Sequence, residues 1–244
     1  MNRCGIFDSG IGGLSVAKEV LKAGLFDEII YFGDTARVPY GNKNESTIIR
    51  YSLEALEFLK NFDIDFLVVA CNSASAVAVN ELQKEAGFPV VGVITAGVKA
   101  LKNTPKDANI LLVGTKRTIQ SAKYQTMLNR LGYEKITSIA TPLLVPLVEE
   151  EMFSGRVVED VFDLYFSDID KDEVDIVILG CTHYPFLSDM FKRYFKNASL
   201  IHSGQAIVEL LKNEYALKSG KSSQIRFFAS DNPEELRKRA LKWL

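Results

Sequence analysis

Two stretches of the chain place a cysteine where a buried strand would end. Residues 174–185 read VDIVILGCTHYP: an apolar run stops at Gly180, and Cys181, Thr182, His183 and Pro185 follow. Residues 65–75 read DFLVVACNSAS, with the same order of acid, apolar run, Cys71, Asn72 and Ser73. Runs this apolar suit strands buried on both faces of a parallel sheet. Reactive groups at the ends of such strands lie where open α/β sheets bind ligands. A cysteine between a strand and a helix has its sulfur near backbone N–H groups and the positive helix end. That position is expected to lower its pKa from about 8.5 and raise the thiolate fraction. Asn72 and Ser73 favour helix caps, and Pro185 suits a first helical turn. Two tuned thiols facing each other across a cleft suit one reaction type. One removes a proton from one face of a carbon, and the other delivers a proton to the opposite face. The result is inversion of a stereocentre.

Other polar side chains are expected to converge on the same cleft. Asp8 and Ser9 follow the first apolar run, and Thr115 and Thr118 stand in the equivalent turn of the second half. Tyr40 and Gly41 close a loop rich in turn formers. Hydroxyls and backbone N–H groups at helix starts receive carboxylates. Asp8 or Glu149 could meet an ammonium group, and His183 could polarise Cys181 or hold a leaving proton.

The elements that must hold these residues repeat along the chain. Residues 4–7, 28–32, 66–70 and 90–93 read as strands. Helical spacing of apolar residues lies between them: at Leu14, Ala17, Val20 and Leu21, at Ile48 to Leu59, and at Ala74 to Leu82. The order then restarts after a helix near 97–101, with strands at 109–113, 136–140, 174–180 and 200–201. The stretch 141–151 reads as a loop leading into a helix through Val157 to Tyr165. Strands alternating with helices argue for parallel sheets covered by helices. The expected fold is α/β: two similar three-layer α/β domains with mainly parallel sheets and the active site in the cleft between them. The segment 204–244, read as helix, strand and helix, is too short for a third domain. It is expected to complete the first, giving domains 1–95 plus 204–244 and 96–203.

The bulk numbers narrow the function. The chain has 244 residues, 47% of them hydrophobic, with Lys plus Arg 29 against Asp plus Glu 31. A net charge of −2 gives no electrostatic reason to expect nucleic acid or an anionic membrane as partner. No run approaches the ~20 apolar residues of a membrane span, and the start is too polar for a signal peptide. A cytoplasmic location is expected. Three cysteines without a CxxC do not form a disulfide framework, so free thiols are expected.

Blander readings stand beside these. A buried cysteine is most often a small core residue, and that reading is preferred for Cys4. His202 reads as structural or surface-exposed. Cys71, Cys181 and His183 could ligate a metal, although structural zinc sites show tighter ligand pairs. The turn at 8–13 fails as a dinucleotide loop because Ser15 stands where a third glycine or alanine belongs. A thiol redox protein or a pure binding module would use the same residues differently.

Taken together, the motifs resemble the glutamate racemases of bacterial cell-wall synthesis. The matching pieces are GIFDSGIGGL at 5–14, DTARVPYG at 34–41, ACNSA at 70–74, GTKRT at 114–118, VPLVE at 145–149 and LGCTHYP at 179–185. The resemblance implies cofactor-independent interconversion of L- and D-glutamate, supplying D-glutamate for peptidoglycan. By position, Cys71 would deprotonate D-glutamate and Cys181 L-glutamate, with Asp8 and His183 assisting. Asp8, Ser9, Tyr40, Gly41, Asn72, Ser73, Thr115, Thr118, Glu149, Thr182 and His183 would hold the substrate. A homodimer without metal is implied, and a relative acting on another acid such as aspartate is the near alternative. Ser73 stands where threonine is usual and keeps the hydroxyl. The chain starts at its first strand, so activation by a cell-wall precursor through an N-terminal extension is not expected.

Overall fold

The structure is a computed structural model and describes residues 2–220 and 222–244. The first half runs β1 (Arg3–Asp8), α1 (Leu14–Ala23), β2 (Glu28–Gly33), α2 (Glu45–Lys60), β3 (Phe66–Val69), α3 (Asn72–Val77), α4 (Val79–Ala86) and β4 (Val90–Gly92). The second runs α5 (Val93–Lys99), β5 (Ile110–Gly114), α6 (Lys116–Gln120), α7 (Lys123–Arg130), β6 (Ile136–Ala140), α8 (Leu144–Glu149), α9 (Arg156–Phe166), β7 (Ile176–Gly180), α10 (Ser188–Tyr194) and β8 (Ser199–Ile201). The chain closes with α11 (Ser203–Glu214), β9 (Gln224–Ala229) and α12 (Pro233–Trp243).

The strands form two sheets, β4-β3-β1-β2-β9 and β6-β5-β7-β8, and every pairing is parallel. Read from the thiol side, both sheets have the same order: fourth strand, thiol strand, first strand, second strand. The two halves are therefore topological repeats, and β9 extends the first sheet beside β2. Burial explains the sequence pattern. β2, β3, β5 and β7 are buried along their whole lengths; the last three read as unbroken apolar runs, and β2 does so after the ion-paired Glu28 at its start. The edge strands β6 and β9 are only partly covered and carry polar residues.

Three hydrophobic clusters cover the sheet faces. One packs α2 against the Phe7, Phe32, Leu67 and Val69 face of the first sheet. A second packs α5 and α7 against Ile110, Leu112, Ile176 and Ile178 of the second sheet. The third is shared between halves and joins Ile6, Tyr31 and Val68 to Val113, Phe162 and Phe191 through α1 and α11. The cleft thus sits between two sheets that share one core.

The local differences from the sequence reading are instructive. The helix expected at 74–82 is two helices, α3 and α4, meeting at Ala78. Val93, read as the end of a strand, begins α5. The stretch 141–151 is not only a loop: it contains α8, and Glu149 ends that helix. Cys71 stands at the start of α3 as expected, but no side chain caps the helix, and Asn72 and Ser73, expected as caps, lie inside its first turn. Cys181 does not begin an α-helix, because a 3₁₀ turn at Tyr184–Leu187 with Pro185 in it comes first and α10 starts only at Ser188.

Candidate active site

Sheet register brings each thiol beside a hydroxyl. Phe7 pairs with Val69 in the first sheet, and Gly114 pairs with Gly180 in the second. Continuing each register past the strand ends sets Ser9 opposite Cys71 and Thr115 opposite Cys181. The true equivalent of Thr115 is therefore Ser9, and Asp8 corresponds to Gly114. The carboxylate belongs to one half alone.

Around Cys71 the environment is tight. Its Sγ lies 3.4 Å from Ser9 Oγ. Burial first, and the Asp8 carboxylate second, push the Cys71 thiol up to about 12. The Ser9 hydroxyl and the Ala74 N–H pull the other way and do not prevail. This overturns, for Cys71, the expected lowering by a helix N-terminus. α3 is only six residues long, and its partial charge is outweighed by a sulfur shut away from water.

Asp8 is fully buried behind this pair. Its carboxylate accepts from the Gly10 N–H at 2.9 Å and, across the cleft, from Thr182 Oγ1 at 3.3 Å. Burial lifts its pKa above the ordinary carboxylate value, and the charge on His183 opposes that rise. Asp8 thus faces both halves rather than serving Cys71 alone.

Cys181 has a different set of neighbours. His183 Nδ1 lies 3.7 Å from Cys181 Sγ, and His183 Nε2 lies 3.3 Å from Glu149 Oε1. The second contact is an ion pair by distance, but Nε2 is off the hydrogen-bond line and forms no hydrogen bond. Burial works against charge on His183. The Cys181 sulfur and the Glu149 carboxylate outweigh it and raise the imidazolium to about 10. A charged imidazolium held there favours negative charge on the sulfur beside it. The Gly-rich turn makes this approach possible: a methyl on Gly12 would lie 2.5 Å from His183 Nδ1 and from Thr182 Oγ1. These glycines serve close packing of one half on the other.

A cavity of about 360 Å³, counting the solvent at its mouth, brings both thiols together. Ser9, Tyr40, Gly41, Asn72, Ser73, Thr115, Glu149, Thr182 and His183 line it with Cys71 and Cys181. Two expected residues do not reach it. Asp8 lies behind the lining, and Thr118 is buried with its Oγ1 3.0 Å from Thr115 Oγ1. Thr115 Oγ1 in turn meets Ser73 Oγ at 2.9 Å, a hydroxyl chain that crosses from one half to the other. Tyr40 lines the cavity without offering its hydroxyl, which donates to the buried Asp34 carboxylate. Arg37 holds the same carboxylate and fixes the loop. A methyl at Gly41 would strike Thr115 Cβ at 2.7 Å, so this loop also touches the opposite half.

Sequence reasoning missed the apolar lining: Val38, Pro39 and Val145. The available signal was a Val-Pro pair in each half, Val38-Pro39 and Val145-Pro146. Among the described residues no three His, Cys, Asp or Glu side chains group as metal ligands. No helix among them is long and apolar enough to cross a membrane.

The profile of the Asp/Glu/Hydantoin racemase family matches residues 16–211. A glutamate racemase of a Nitratiruptor species is 56% identical over 246 residues, covering 99% of this chain and 96% of the relative. The crystal structure of glutamate racemase from Campylobacter jejuni superposes with a TM-score of 0.95 at 48% identity, covering 99% of this chain and 97% of that one. A second, from Francisella tularensis in complex with D-glutamate, gives 0.87 at 33% identity, covering 100% and 93%. With its two parallel sheets, its paired thiols and these likenesses along nearly its whole length, the chain belongs to the Asp/Glu/Hydantoin racemase family.

Proposed function

We propose that the protein interconverts L- and D-glutamate by proton transfer between Cys71 and Cys181 at the α-carbon, without a cofactor, supplying D-glutamate for peptidoglycan. One observation carries the reading: the two thiols end topologically equivalent strands and line one cavity. The relatives named above support glutamate as the substrate.

Protons are conserved at every step. With L-glutamate bound, the Cys181 thiolate takes the α-proton and becomes a thiol. The substrate carbon, now planar, receives the proton of the Cys71 thiol on its other face. Cys71 is left as the thiolate, and D-glutamate departs. With D-glutamate the roles reverse. The high thiol pKa of Cys71 and the charged His183 beside Cys181 favour the form ready for L-glutamate. His183 assists at Cys181. Asp8 assists through Ser9 and Thr182, which it neighbours in sequence and by hydrogen bond. Ser9, Gly41, Asn72, Ser73, Thr115, Thr182 and Glu149 hold the substrate, Thr118 supports Thr115, and Tyr40 contributes its ring and backbone.

The domains read as 1–95 plus 204–244 and 96–203, supported by the pairing of β9 with β2. A homodimer acting in the cytoplasm completes the proposal, and light scattering at twice the chain mass tests the dimer. The test of function is incubation with L-glutamate in D₂O without pyridoxal phosphate. Deuterium is expected at the α-carbon of the D product, with aspartate turned over far more slowly. Full racemisation by a Cys181→Ala protein would sink the two-thiol reading.

A further inference from the structure

Tyr124 lies on α7, in the second half, and is buried. Its hydroxyl nevertheless donates to Asn72 Oδ1 at 3.0 Å, in the residue that follows Cys71. Its ring lies over the end of β7: a methyl on Gly180, the residue before Cys181, would stand 3.6 Å from Tyr124 Cε2. On the other side, a methyl on Gly97 of α5 would meet the hydroxyl at 3.1 Å and Cε1 at 3.3 Å. Gly97 therefore leaves room for the ring, while Gly180 makes ordinary contact with it and is kept small by Val113 O, 2.6 Å from such a methyl. That ring touches the residue after one thiol and packs over the residue before the other.

The consequence falls on Asn72, which lines the cavity. A primary amide has two N–H donors and one acceptor oxygen. The oxygen of Asn72 is engaged by the phenol. One donor has a long contact, 3.5 Å, to Ser203 Oγ, and that hydroxyl lies 3.4 Å from Leu179 O. The second N–H is left for the cavity. An amide fixed this way holds its remaining N–H as a donor for a carboxylate oxygen.

We propose that Tyr124 is a positioning residue that fixes the Asn72 side-chain amide with an N–H toward the substrate carboxylate. The proposal rests on the glutamate racemase reading above. Its role is distinct from that of a core tyrosine whose hydroxyl is merely satisfied, because it acts through Asn72.

The test compares the unsubstituted protein with Tyr124→Phe, Asn72→Ala and the double variant. Tyr124→Phe keeps the ring and removes one oxygen. KM for glutamate is expected to rise about tenfold with kcat within about twofold, the pattern of lost ground-state binding. The double variant is expected to be no worse than Asn72→Ala, since both remove the same contact. Gly97→Ala, which crowds the hydroxyl without removing it, is expected to give a smaller rise in KM of the same kind. An unchanged KM in Tyr124→Phe, or additive losses in the double variant, would overturn the proposal. The Asn72 side-chain N–H₂ resonance, assigned by its absence in Asn72→Ala, is expected to shift or broaden in Tyr124→Phe without any substrate. An unchanged resonance overturns the proposal even if the protein fails to racemise glutamate, so the two failures are told apart.

Discussion

The two thiol sites are built on one topology and furnished differently. Equivalent positions pair Asn72 with Thr182, Ser73 with His183, Ser9 with Thr115 and Asp8 with Gly114. Hydroxyls recur on both sides, while charge does not. The first half contributes one buried carboxylate and keeps its sulfur protonated. The second contributes an imidazolium with a carboxylate behind it. If the two thiols act from opposite faces, as proposed, nothing requires them to be activated in the same way. Repetition of the fold supplied the geometry, and divergence at a few positions gave the two sulfurs different charged neighbours.

Equivalent substitutions on the two sides should therefore have unequal effects. His183→Asn is expected to lower kcat/KM for glutamate by on the order of 10²–10³, the range of a lost acid–base group. Ser73→Ala, two residues past the other thiol, is expected to cost less than about tenfold. Enantiomers have equal free energy, so the equilibrium constant is one. Each variant must then lose the same factor in kcat/KM in both directions, and only kcat and KM separately can split. Polarimetric rates from each enantiomer check both statements. Equal losses at Ser73 and His183 would break the comparison.

Stability against pH sharpens it next. His183 has its pKa raised from 6.5 to about 10. A raised group contributes stability that is fully present below pH 6.5 and is lost as pH rises through about 10. Cys71, raised from 9.0 to about 12, contributes stability that persists to about pH 9 and is lost above it. His202, held below its ordinary value by burial, titrates under pH 6.5. The interval between pH 6.5 and 9 thus belongs to His183. Denaturant melts are expected to lose on the order of 1–3 kcal/mol across it. His183→Gln should flatten that interval, and a slope unchanged by the substitution would sever His183 from its two partners.

A third variant probes the outer partner. Glu149 is half-buried, so solvent weakens its hold on His183. In Glu149→Gln the His183 titration is expected to fall below about 10, and kcat/KM to fall about tenfold. Imidazole proton shifts followed through the titration report the first. A titration that does not move would mean that the Cys181 sulfur alone holds the imidazolium charged.

How much of this was legible in the sequence follows from what fixes each feature. The strands β3, β5 and β7 are legible because full burial demands unbroken apolar runs. The thiol pair was readable because both cysteines stand at the ends of such runs. That Ser9 rather than Asp8 matches Thr115 is not legible in sequence, since only sheet register decides which residue faces the sulfur. The thiol pKa of Cys71 went the wrong way because a helix N-terminus is visible in sequence and desolvation is not. Tyr40 reaches the cavity from the loop the sequence marks, but that its hydroxyl goes to the buried Asp34 is visible only in three dimensions. The role of Tyr124 has no local signal: its partner Asn72 is far away in sequence, and Gly97, which leaves room for the ring, looks like an ordinary small residue.

The smallest expected effect concerns Asp8, whose carboxylate reaches both halves. Its negative charge is the second cause, after burial, that pushes Cys71 up to about 12. Replacing it by asparagine removes the charge and keeps a group able to accept from Thr182 Oγ1 and the Gly10 N–H. The Cys71 thiol should then ionise more easily, and its rate of alkylation by iodoacetamide at fixed pH should rise a few-fold. At Cys181 the same substitution removes a charge that also attracts His183. The imidazolium there becomes easier to discharge and the sulfur beside it loses support for negative charge. The two alkylation rates, read peptide by peptide by mass spectrometry in Asp8→Asn, should therefore converge. If both rise together, Asp8 acts as a general field on the cavity and the two sites are less distinct than their neighbours suggest. If Cys71 alone fails to respond, its sulfur is governed by burial, and the carboxylate belongs functionally to the half it reaches through Thr182.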